Sequence, residues 1–129
     1  MGDAVLELVV TDYLYKKYQD KTEGELTSLR SALVNTATIS TIATNLGMND
    51  YLLLSKGEAK DTGRARQYIL ADMFEAFVGA LYIDQGYESA VRFIEMKLTP
   101  LLDDIVAKKL WQDSKSLLQE VAQEKVGVT

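Results

Sequence analysis

Between Tyr68 and Ile83 the chain reads YILADMFEAFVGALYI, a run whose only charged residues are Asp72 and Glu75. A stretch that long, apolar around most of its circumference, predicts a helix packed among other helices rather than one lying on a surface. Asp72 and Glu75 stand three residues apart, so they project from one side of it. Ionised carboxylates in greasy surroundings are costly unless they are protonated, paired with a base or bound to a cation. Spacing alone leaves three readings open. The helix sits at a surface, or Lys56, Lys60, Arg64 or Arg66 pairs with these acids, or a hard divalent cation does.

The rest of the chain predicts an all-α fold. Val5, Leu6, Val9, Val10, Tyr13 and Leu14 form a stripe at helical spacing within 4–18. A loop is expected at 19–25, around Gly24. Shorter helices are expected at 26–34 and at 38–46, the second ended by Gly47. Residues 49–54 read as one further turn. The segment SKGEAKDTGRAR at 55–66 holds four basic and two acidic residues and two glycines, and reads as an exposed loop. After the long helix, which should stop near Gly86, a helix is expected over 88–98. Thr99-Pro100 reads as the N-cap and first residue of another helix reaching Lys108. Residues 111–115 read as a linker and 116–125 as one more amphipathic helix. Both ends of the sequence read as cut.

The chain has 129 residues, 47% of them hydrophobic and 26% charged, which suits one soluble domain with a real core. No apolar run reaches membrane-spanning length, and no signal-peptide pattern opens the sequence. There is no cysteine and no histidine. That removes thiolate and imidazole ligands and histidine acid–base chemistry, so any metal must be held by oxygen, with Mg²⁺ or Mn²⁺ leading. A cytoplasmic location agrees with this composition. The net charge of −5 argues against a nucleic-acid partner only softly, because carboxylates gathered at a metal site lower it locally.

Other residues have ordinary readings. Asp3, before an apolar run, reads as an N-cap; Glu7 as solvated; Glu23, beside Gly24, as a loop acid. Tyr13, Tyr15, Tyr18, Tyr68 and Tyr82 read as core rather than as base-stacking platforms.

Their order along the chain says more. GDAVLELVVTDYLY at 2–15, EGELTSLRSALVN at 23–35 and SKGEAKDTGRARQYILADMFEAFVGALYID at 55–84 resemble the bacterial ribonuclease III family. The similarity runs from Gly2 to about Lys108. DSKSLLQEVAQEKVGVT at 113–129 is similar to the opening of the double-stranded RNA-binding domain that commonly follows. The resemblance implies a ribonuclease III endonuclease-type helical domain at 1–109, lacking its first helices. Residues 110–129 would then be a linker and the first helix of a truncated RNA-binding domain.

It further implies a homodimeric, Mg²⁺-dependent enzyme that cuts double-stranded RNA, of the kind that processes rRNA and mRNA precursors. Mn²⁺ would be able to substitute. By resemblance Asp3 matches the aspartate of the G-D-A motif, a catalytic and metal-site acid. Asp72 and Glu75 match the metal-binding pair of D-x-x-E-A, with Glu75 also catalytic. Glu23 matches a secondary acid, and Lys56, Lys60, Arg64 and Arg66 lie in a segment that meets the RNA backbone. The family motif runs E-R-L-E-F-L-G-D-A, and its second glutamate, a further ligand, falls before Met1. Two competing readings are a non-catalytic duplex-RNA-binding or dimerisation module of the same fold, and a helical protein–protein interaction domain.

Overall fold

The computed structural model describes the backbone of residues 1–126 and the side chains of residues 1–108. Six α-helices follow one another: α1 (Gly2–Lys17), α2 (Glu23–Leu33), α3 (Thr36–Asn45), α4 (Lys56–Lys60), α5 (Arg64–Gln85) and α6 (Tyr87–Val126). A 3-10 turn at Met48–Tyr51 joins α3 to the segment before α4. No strand is present among the described residues.

Helix α5 is the axle of the fold, packing against α1, α3, α6 and the 3-10 turn, while α2 leans on α1 and α6. The centre is filled by Leu6 and Leu14 from α1, Leu33 from α2, Phe74 and Val78 from α5, and Ile94 and Leu102 from α6. Each of these large side chains is almost wholly removed from water, a contribution of about 1.5–3 kcal/mol apiece against exposure. Phe93 of α6 lies between two rings of α5, 5.9 Å from Phe74 and 5.1 Å from Phe77.

Local chemistry sets most of the boundaries. The hydroxyl of Thr22 accepts from the Glu25 amide at 3.2 Å and starts α2 at Glu23, shortening the expected loop. Asn35 caps α3 by accepting from the Thr38 amide at 2.8 Å. Gly47 and Gly86 take positive φ, 79° and 89°, where α3 and α5 end, as side-chain-free residues readily do.

Several expectations are corrected. Residues 55–66 are not simply a loop. Ser55 and Glu58 form a reciprocal capping box, with the Glu58 amide donating to Ser55 Oγ and the Ser55 amide donating to Glu58 Oε1, both at 3.1 Å; this starts α4.

Thr99-Pro100 does not start a new helix, because α6 runs through it. Ala90, Ile94, Leu98 and Leu102, each four residues from the last, keep one buried stripe going across the proline. Pro100 itself is exposed, and the Thr99 hydroxyl folds back to donate to the Glu95 carbonyl. The α6 backbone also continues over 111–115, the expected linker. Side chains from 109 onward, and with them the reading of 116–125 as an RNA-binding-domain helix, lie outside the described residues.

The long apolar helix is not buried all round. Tyr68, Asp72, Ala76, Phe77, Ala80 and Ile83 lie exposed along one side of α5, away from the neighbours that cover Leu70, Phe74 and Val78. Tyr15 is likewise exposed rather than core, while Tyr13, Tyr18 and Tyr82 pack against the core's edge.

Candidate functional site

The N-terminus of α1 lies directly on α5. A Cβ built on Gly2 would overlap the carbonyl oxygen of Glu75 and come within 3.1 Å of the Gly79 amide nitrogen. On the other side, a Cβ on Gly79 would come within 3.2 Å of the Gly2 nitrogen. Two backbones therefore touch with no side chain between them, an approach that glycine permits. Asp3, next along α1, is brought beside Glu75 from a distant part of the sequence.

Electrostatics register this proximity. Burial first, then the negative charges of Asp3 and Asp72, hold the Glu75 carboxyl above its ordinary value, with a lesser push from Glu7. The Ala4 amide, donating to Asp3 Oδ1 at 2.9 Å, and next the Met1 ammonium hold Asp3 below its ordinary value. Asp3 does not cap α1: Met1 holds the cap position. Asp72 is exposed and Glu75 half-buried. Among the described residues neither has a basic partner within ion-pair distance. The reading in which Lys56, Lys60, Arg64 or Arg66 neutralises this pair is not realised.

In donor type the set suits a hard divalent cation, being oxygen-only and like-charged, with no lysine or arginine partner among the described residues. The acids are near enough to repel, but they have not converged. Among the described residues no three carboxylates meet at ligand distance from a common point. Asp3 turns instead to the Ala4 amide and the Met1 ammonium, at 2.9 Å and 3.5 Å.

The secondary acid sits elsewhere. Glu23 opens α2 and lines a cleft of about 180 Å³ with Thr11, Tyr15, Leu26, Thr27 and Arg30. Arg30 also reaches Glu7 of α1, Nε to Oε2 at 3.3 Å, so Glu7 is paired rather than merely solvated.

The four basic residues divide into two kinds. Lys56 and Lys60 are exposed on α4, and the Arg64 guanidinium lies over the Tyr68 ring at 5.9 Å. Arg66 instead turns inward. Its NH1 donates to Asn49 Oδ1 at 2.8 Å, and its NH2 donates to the carbonyls of Glu58 at 3.0 Å and Ala59 at 3.2 Å. The sequence reading missed this role and the Gly2–Gly79 contact. Neither has a local signature, whereas the Ser55-x-x-Glu58 spacing of the capping box was visible.

An all-helical domain thus brings three acids to a helix crossing, none with a lysine or arginine partner among the described residues, with a basic segment before the same central helix. A Ribonuclease-III-like family profile matches residues 1–102, and the chain belongs to the ribonuclease III family. It is 44% identical over 124 residues to Ribonuclease 3 of Desulforamulus reducens, covering 96% of this chain and 50% of that protein. It is 46% identical over 123 residues to Ribonuclease 3 of Bacillus licheniformis, covering 95% and 49%. The chain thus spans about half the length of the curated relatives it matches. A solved nuclease domain of ribonuclease III from Campylobacter jejuni superposes with a TM-score of 0.69 at 40% identity, covering 77% of this chain and 72% of that one. That structure is described by flexibility in a region involved in its dimer formation.

Proposed function

We propose that residues 1–109 are the catalytic portion of an endoribonuclease that hydrolyses double-stranded RNA with Mg²⁺ or, in its place, Mn²⁺. The observation that carries this reading is the group Asp3, Asp72 and Glu75 at the α1–α5 crossing, where Asp3 and Asp72 raise the Glu75 carboxyl and no lysine or arginine pairs with any of the three among the described residues. These three acids would hold the ion, which supplies Lewis acidity and an acidified water to the phosphoryl group. Asp72, on the open side of α5, faces the approach of substrate. Glu75, anchored in the half-buried flank, fixes the depth of the centre. Lys56, Lys60 and Arg64 offer positive charge to the phosphate backbone, a contact that carries no base information. Recognition would rest on A-form shape, phosphates and 2′-hydroxyls.

A two-fold homodimer would present one cutting centre to each strand of the duplex. Processing of rRNA and mRNA precursors in the cytoplasm fits such an activity. In this reading residues 110–129 lead toward an RNA-binding module, and no helix among the described residues is long and apolar enough to cross a membrane.

Asp72→Asn and Glu75→Gln test the proposal in a chain extended so that the family's E-R-L-E-F segment precedes Met1. Each should abolish Mg²⁺-dependent cleavage of long duplex RNA while leaving RNA binding in place. Cleavage at the parent rate in either variant would remove that residue from the metal centre. A parent chain that binds duplex RNA without cutting it would favour the non-catalytic module, which the unconverged acids also allow.

A further inference from the structure

We propose that Arg66 is a positioning residue, clasping α4 and the 3-10 turn onto the start of α5 so that Lys56 and Lys60 are held at a fixed offset from the acids. The proposal rests on reading Lys56 and Lys60 as RNA-backbone contacts.

Helix α4 is five residues long and buries none of them. A helix that short has no stability of its own in water, and its capping box secures only its first turn. Among the described residues, the hydrogen bonds joining Lys56–Lys60 to anything beyond residues 55–61 come from Arg66 alone. They reach the carbonyls of Glu58 and Ala59, while the other arm of the guanidinium holds Asn49 in the 3-10 turn. Its Nε is enclosed with no acceptor among the described residues, so the clasp is made by the two terminal nitrogens. One planar cation therefore ties three segments together, a geometry that the compact ammonium of lysine cannot reproduce.

Arg66 belongs to the same helix as Asp72 and Glu75. At 1.5 Å per residue, those acids lie about 9 Å and about 14 Å further along α5. Whatever fixes α4 to Arg66 thus sets the distance from the basic residues to the cutting centre. Arg66 works through Lys56 and Lys60, with its own charge turned inward.

The test compares Arg66→Lys, Asn49→Ala and the double variant Lys56→Ala/Lys60→Ala. Each is measured for binding of a labelled RNA duplex in EDTA at low salt, with amide NMR shifts of residues 56–60 read in parallel. Arg66→Lys keeps the charge, and Asn49→Ala alters no charge at all. Both should nonetheless move the 56–60 resonances toward coil values and weaken binding by about threefold to tenfold, up to the scale of one lost charge-assisted hydrogen bond. The double lysine variant should weaken binding with its α4 resonances still helical. Asn49 is exposed, so its variant keeps the test available should Arg66→Lys fail to fold. Unchanged affinity in a variant whose α4 resonances have moved overturns the proposal. So does weakened binding with α4 intact, which would make Arg66 a direct RNA contact. No loss of affinity in the double lysine variant would refute the RNA reading beneath the proposal, and the proposal with it.

Discussion

Glu75 bears the electrostatic strain of the site. Its carboxyl is held above its ordinary value by burial and by Asp3 and Asp72, so the folded state prefers it protonated. Its contribution to stability is full below the ordinary glutamate value and is lost as pH rises through the raised folded one. At neutral pH, Glu75→Gln should therefore melt at a higher temperature than the parent in EDTA, and the gap should close as pH falls below the ordinary value. Solvent screening keeps the rise modest for a half-buried group. A parent that melts higher than Glu75→Gln at neutral pH in EDTA would contradict the repulsion described. Glu58 has the opposite sign. The Ser55 amide, then the Ser55 hydroxyl, hold its carboxyl below its ordinary value. Its support for α4 is present above the ordinary value and lost as pH falls through the depressed folded one. An NMR titration should show residues 56–60 losing helical shifts on acidification, and Ser55→Ala should already lack part of them at neutral pH.

At the scale of elements, the seam between α1 and α5 is the demanding feature. Gly2→Ala places a methyl group against the Glu75 carbonyl oxygen, a backbone atom that cannot swing aside. Overpacking of this kind costs about 1–3 kcal/mol, and relief requires α1 to move and carry Asp3 with it. Gly2→Ala should lower the melting temperature and, in an active chain, lower kcat; an unperturbed Tm would show the seam to be looser than described. Elements also show how much of the fold was legible. Helices α1, α3 and α5 could be read because apolar spacing and terminal glycines are local signals. Helix α6 was broken too early because a proline preceded by threonine is also a local signal, and the buried series Ile94, Leu98, Leu102 outweighed it. Helix α4 was hidden by Gly57 within it, Gly63 soon after it and its charge, although Ser55 and Glu58 carried the capping signature. Along α5, periodicity marked an apolar helix but not which side its neighbours would leave uncovered.

For the whole molecule, the site was legible only in part. Asp72 and Glu75 declared themselves by standing in an apolar run. Asp3 joined them only through resemblance, because nothing in local spacing foretells which distant helix end will land beside Glu75. Arg66 looked like its basic neighbours until three contacts with two separate segments turned it inward. A cation at the crossing should bind the folded chain alone, so Mg²⁺ should raise the parent's melting temperature and raise that of Asp72→Asn less. Equal shifts in both would place the effect elsewhere.

The Gly2–Gly79 contact has one more consequence. Main chain already abuts main chain there, leaving no slack for the two rods to squeeze closer. An ion taken at the crossing, as proposed above, would be met by swivelling of the carboxylate arms, with the scaffold standing still. Loading and emptying the centre would then register in χ angles while leaving the interaxial distance where the two glycines put it.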